Sequence, residues 1–79
     1  MRSVRTDAYK AVIQSLKDAR KRARLTQEQL AHRISRPQSF VAKVENGERR
    51  IDVAEFIAMA RAIGADPTRL FSAIVKKMP

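Results

Sequence analysis

Cysteine is missing from this 79-residue chain, so neither a disulfide nor a thiolate zinc site enters its architecture. Tryptophan is missing too, and the aromatic complement is one tyrosine and three phenylalanines. Histidine occurs once, at His32, which leaves no histidine cluster for a metal ion, and its position faces solvent on its helix. One histidine, no cysteine and no carboxylates at a suggestive local spacing argue against an enzyme. No apolar run approaches the roughly 18 to 20 residues that span a bilayer. The N-terminal Met-Arg-Ser-Val-Arg leads into polar residues rather than a signal-peptide core. Together these absences predict a cytoplasmic protein with no cofactor and no metal.

Acidic residues are scarce as well. Eight Asp and Glu stand against 17 Lys and Arg, a formal net charge of +9. So large an excess on so short a chain points to a polyanionic partner, either nucleic acid or an anionic membrane surface. The lack of a spanning segment and of tryptophan disfavours the membrane. The length allows one domain, which buries only about 60 to 65% of the surface its unfolded chain exposes. Without disulfides, association of two chains is the readiest source of further stability.

The two glycines and three prolines fall where helices begin and end. Val12, Ile13, Leu16, Ala19 and Ala23 recur at helical spacing and predict a first helix from about Asp7 to Arg24, capped by Thr6. Thr26 followed by Gln29 reads as a capping box that opens a second helix, with Leu30, Ala31 and Ile34 inward. It should stop at Ser35 and Arg36, because Pro37 disfavours helical geometry in the residue before it. A third helix runs from Pro37 to Asn46, with Val41 and Val44 inward, and Gly47 ends it in the left-handed conformation. Asp52 and Glu55 cap a fourth helix whose stripe is Val53, Phe56, Ile57, Ala60 and Ile63, closed by Gly64. Asp66 and Pro67 open a fifth, with Leu70 and Ile74 as its core pair. No segment alternates like a strand, so the fold class is all-α: residues 6–79 form the domain and residues 1–5 a flexible arm. Arg2 and Arg5 make that arm either a groove-reaching tail or an ordinary disordered terminus.

The second and third helices, joined by about three residues, read as a helix-turn-helix, with the small Ala31 where the two approach. The outer face of the third helix carries Gln38, Ser39 and Lys43, side chains that reach base edges in a major groove. Arg36, Arg49 and Arg50 flank it as phosphate anchors. The cluster Arg20, Lys21, Arg22 and Arg24 either solubilises the first helix or adds to phosphate attraction. Phe40 either packs against the fold or touches a thymine methyl.

Three segments carry a resemblance: Leu25-Thr-Gln-Glu-Gln-Leu-Ala31, Gln38-Ser-Phe-Val41, and Val44-Glu-Asn-Gly-Glu-Arg49. With Ala60-Arg-Ala-Ile-Gly64 and Asp66-Pro-Thr-Arg-Leu-Phe71, they make residues 10 to 71 resemble the Cro/repressor-like (XRE) family. That family includes the lambdoid phage repressors and the controller proteins of restriction–modification systems. The resemblance implies a compact five-helix, lambda-repressor-like DNA-binding domain, bacterial or phage-encoded and nucleoid-associated. It further implies a transcriptional regulator that binds a pseudo-palindromic operator in double-stranded DNA as a homodimer. An antitoxin-type module, whose main role is to bind a partner protein, is the alternative.

Residue by residue, the resemblance implies that Gln38 pairs with adenine and that Gln27 braces it while binding a phosphate. Thr26 and Asn46 join the backbone contacts. Arg20 and Glu45 match an ion pair between the first helix and the end of the recognition helix. On the last helix, Phe71 and Val75 are candidates for a two-fold dimer contact. The chain departs from the family in carrying Ser35 where glycine is usual in the turn and Pro37 where a Ser or Thr cap is usual. Glycine takes a left-handed turn without steric cost, so Ser35 is either mildly strained or sits in a slightly different turn.

Overall fold

Four of the five helices begin at a side chain that satisfies free amides. The computed structural model describes residues 6–78, and among these it contains five α-helices and no strand: α1 (Asp7–Arg22), α2 (Gln27–Arg33), α3 (Gln38–Glu45), α4 (Val53–Ile63) and α5 (Pro67–Lys77). The all-α, five-helix class predicted from the sequence is the one observed. Arg2 and Arg5 lie outside the described residues.

Thr6 Oγ1 accepts from the Tyr9 amide at 3.1 Å. At α2 the box is reciprocal: Gln29 N donates to Thr26 Oγ1 at 3.0 Å and Thr26 N to Gln29 Oε1 at 2.9 Å. Asp52 and Glu55 repeat the pattern at α4, at 2.7 and 3.0 Å. Asp66 Oδ1 accepts from Thr68 N at 2.9 Å, ahead of a helix whose first residue is Pro67. A cap of this kind contributes about 1 kcal/mol, a sizeable share of the stability of so small a domain. Only α3 lacks a side-chain cap: Pro37 stands at the cap position in extended conformation, φ −68° and ψ 153°. It therefore lies one residue outside the helix it was expected to begin.

The helix ends are sharper than periodicity suggests. α1 stops at Arg22, two residues early, because Arg24 turns left-handed at φ +60°. Ala23, expected inward, is consequently exposed. Ser35 also takes a left-handed φ of +56°, the strained member of the two alternatives the sequence left open. Gly64 closes α4 at φ +92°, and nothing within 4 Å would meet a side chain there. Backbone conformation, not space, thus calls for glycine at that position.

The core gathers at the centre of the five helices. Leu16, Leu30, Val41, Val44, Met59 and Ile74 are its largest fully enclosed side chains, each stabilising the fold by roughly 1.5 to 3 kcal/mol through burial. Ala31 is buried among them where α2 meets α3. In α4 the stripe is Phe56, Met59, Ala60 and Ile63. Val53, placed inward by periodicity, is 73% exposed, because the first turn of α4 projects past the edge of the core. Its apolar surface joins an open cavity of about 170 Å³ lined by Val12, Ile51, Phe56, Phe71 and Met78 among others.

A polar tie reaches the loop between α3 and α4. The hydroxyl of Tyr9 accepts from Ile51 N at 3.0 Å and contacts the Arg49 carbonyl at 3.4 Å. The start of α1 is thereby fastened to the chain that leaves α3.

Candidate nucleic-acid interface

α3 divides its residues between two sides. Phe40, Val41, Val44 and Glu45 are buried, while Gln38, Ser39 and Lys43 are exposed. Its amphipathic pattern turns one face into the core and leaves the other a polar strip about two turns long.

Behind that strip runs a connected set of polar contacts. Arg20 of α1 donates through Nε and Nη2 to the two carboxylate oxygens of Glu45, at 2.7 and 2.9 Å. Its Nη1 donates to the Leu25 carbonyl at 2.7 Å. The side chains of Arg20 and Glu45 are only 9% and 2% exposed, and the two-pronged geometry is what makes a desolvated pair tolerable. Gln27 Nε2 donates to Glu45 Oε1 at 2.9 Å, and Gln38 Nε2 donates to Gln27 Oε1 at 2.7 Å. The carboxylate accepts only, so the Gln27 amide must turn its nitrogen toward Glu45 and its oxygen toward Gln38. Gln38 is left with its own Oε1 and a second N–H, the pair of groups that matches adenine N6 and N7.

The candidate phosphate contacts are distributed unevenly. Thr26 is engaged in its capping box, and Asn46 Nδ2 lies 3.4 Å from Glu48 Oε2. Arg36 and Arg49, at opposite ends of α3, converge on one carboxylate that their sequence separation did not suggest. Arg49 Nη1 and Nη2 donate to Glu55 Oε1 and Oε2 at 3.1 and 3.0 Å, and Arg36 Nη2 donates to Glu55 Oε2 at 3.1 Å. Both guanidinium groups lie over the Phe40 ring, 4.3 and 4.7 Å from its centre, as cation–π attraction favours. Phe40 is buried beneath them, which decides its role toward packing.

Hydrogen bonds from Arg49, then the amide of Asp52, hold the Glu55 carboxyl below the usual carboxylate range. Partial burial pushes the other way, and Arg36 adds a smaller downward contribution. Arg50 sits instead over the Tyr9 ring at 4.9 Å. The sequence marked Glu55 as a helix-capping residue, but nothing local in it showed that two arginines would share the same oxygens.

Phe71 and Val75 are exposed on α5, with Met78 and Val53 also presenting apolar surface. The Phe71 ring meets Phe56 edge-on, centroids 6.3 Å apart at 74°. Among the described residues no group of three or more His, Cys, Asp or Glu gathers to hold a metal ion. No helix there is long and apolar enough to cross a membrane.

Comparison with known proteins places this geometry. Residues 14–71 match the family model described as a helix-turn-helix domain. The structure is similar to that of an XRE-family like protein from Pseudomonas syringae pv. tomato str. DC3000, with 45% identity, a TM-score of 0.89, and coverage of 99% of this chain and 95% of that one. It is similar in fold to the wild-type restriction–modification controller protein C.Esp1396I, at 17% identity and a TM-score of 0.83 over 91% of this chain and 95% of that one. The clp gene regulator ClgR from C. glutamicum shares the fold at 16% identity and a TM-score of 0.81, over 94% and 96%. Comparison with curated proteins gives no match. By the family model and by the Pseudomonas relative, the chain belongs to the XRE family of helix-turn-helix proteins.

Proposed function

We propose that this chain is a sequence-specific DNA-binding transcriptional regulator that binds a pseudo-palindromic operator as a dimer. The observation that carries the reading is the braced Gln38. Its amide is held at the exposed start of α3 by Gln27, which is itself held by the Glu45 carboxylate. A side chain that would otherwise sample several rotamers is thus presented in one orientation, the preorganisation that direct base readout requires. Ser39 and Lys43 face the same way and complete the base-reading set. Thr26, Gln27, Asn46 and Arg50 line its margins as phosphate contacts, whereas Arg36 and Arg49, expected beside them, are engaged by Glu55.

Two copies pair through α5 in this reading. Phe71 and Val75 are more than half exposed, and covering them stabilises the domain as well as setting the spacing of two recognition helices at about 34 Å, one turn of B-DNA. The family resemblance supports the same arrangement. The C.Esp1396I controller has been crystallised as a tetramer in complex with its natural 35 base-pair operator.

Selection of bound sequences from a random duplex pool, repeated with Gln38→Ala, tests the assignment. The parent should yield a two-fold symmetric site, and the variant should lose preference at one position in each half-site while keeping its affinity for random DNA. Equal loss on selected and random sequences would refute the role given to Gln38. Sedimentation of Phe71→Glu should give half the parental mass, and an unchanged mass would remove α5 from the interface.

A further inference from the structure

Arg36 and Arg49 flank the recognition helix at its two ends, yet their head groups are engaged within the chain. Both rest on the Phe40 ring and meet at Glu55. Each side chain remains about 40% exposed, 41% for Arg36 and 40% for Arg49, whereas Glu55 is 16% exposed. The carboxylate therefore lies under the two guanidinium groups as a phosphate would lie over them. Its place is fixed by the backbone, because Glu55 Oε1 also accepts from the Asp52 amide that opens α4.

We propose that Glu55 is a positioning residue that restrains sequence-blind binding: by holding Arg36 and Arg49 against α4 it withholds both cations from the phosphates of DNA of any sequence. The inference rests on the DNA-binding reading above. Its physical basis is competition. Arg49 holds the carboxylate through two bonds and Arg36 through one, each also resting on the Phe40 ring. A guanidinium so engaged gains little by exchanging its partners for a phosphate, so it releases no counterion from the duplex and adds nothing to sequence-blind affinity. On a chain of formal charge +9, sequence-blind attraction is otherwise strong. Restraining it lowers that attraction and flattens its dependence on salt.

The test is Glu55→Gln, binding to a mixed-sequence DNA duplex being measured across a range of salt. Glutamine keeps the capping box, which accepts either residue, and removes only the charge that holds the arginines. Each cation freed should steepen the plot of log affinity against log salt by about 0.9, equivalent to about eightfold tighter binding at 0.1 M salt. Asp18→Asn, which removes one negative charge from α1, serves as the control for net charge. The double variant Glu55→Gln with Arg49→Gln should remove about half of the added slope, the share of Arg49.

A Glu55→Gln slope no steeper than that of Asp18→Asn, or weaker binding, would overturn the proposal. If the parent binds no DNA at all, the DNA-binding reading fails instead, and the two failures are distinct. Should Glu55→Gln not fold, the unmodified chain still decides the matter by nuclear magnetic resonance of its arginine side chains. The Arg36 and Arg49 signals should stay in place when mixed-sequence duplex is added, and their displacement onto phosphate would refute the inference.

Discussion

Replacing Glu45 by alanine should unfold much of this domain before it does anything specific to DNA. The carboxylate accepts from Arg20 Nε and Nη2 and from Gln27 Nε2, at 2.7, 2.9 and 2.9 Å. Glu45→Ala removes all three contacts and leaves a guanidinium whose side chain is 9% exposed with the Leu25 carbonyl as its remaining partner. Stranding one half of a buried pair costs about 3 to 5 kcal/mol. A domain of 79 residues has a total stability of about 4 to 12 kcal/mol, so the substitution removes a quarter of it at least. With a shift of about 4 to 8 °C per kcal/mol for domains of this size, Tm should fall by more than about 12 °C. Thermal and urea unfolding followed by far-ultraviolet circular dichroism measure it. A loss below about 1 kcal/mol, the range of a solvated surface pair, would refute the argument. Replacing both partners with methionine, Arg20→Met with Glu45→Met, should recover most of the loss, since an apolar pair of similar volume leaves no charge stranded.

Ser35→Gly should raise the urea midpoint, because the left-handed φ of +56° costs a side-chain-bearing residue about 1 to 2 kcal/mol. Glycine's greater freedom in the unfolded chain offsets part of that, leaving a net gain of roughly 0.5 to 1 kcal/mol; a lower midpoint would contradict it. The pH dependence of stability should carry a signature of Glu55, whose carboxyl is held below its ordinary value of 4.5 in the folded chain. A depressed folded value favours the ionised form, so its contribution is complete above the unfolded value and is lost as pH falls through the folded one. Glu55→Gln should therefore flatten the fall in stability below about pH 4.5, and identical acid profiles for the two proteins would exclude the effect.

The sequence made four of the five helix starts legible because each is written in one or two residues within a single turn: Thr6, Thr26 with Gln29, Asp52 with Glu55, and Asp66 with Pro67. Periodicity also located the core of α3 at Val41 and Val44, since a short helix with one polar face admits a single inward side. The ends of helices were less readable. Arg24 ends α1 in a left-handed conformation that nothing in its own chemistry calls for. At Met59 and Val53 the difficulty was of another kind, because which apolar residues of α4 are covered depends on the other helices packed against it. The site was legible as a list of side chains and illegible as a set of contacts. Gln38 could be picked out as a candidate reader, but the carboxylate that braces it through Gln27 lies 18 residues from Gln27. Arg36 and Arg49 looked like free anchors because Glu55, 19 and 6 residues away, belongs to a different helix.

The fastening of α1 to the loop after α3 has a consequence for how this molecule can be watched. With no tryptophan and a single tyrosine, its near-ultraviolet emission comes essentially from Tyr9. That ring is enclosed between α1 and the α3–α4 loop, hydrogen-bonded to Ile51 and covered by the Arg50 guanidinium. One chromophore, native to the chain and needing no label, therefore reports at a single joint: when α1 parts from the loop, and when Arg50 leaves the ring for another charge.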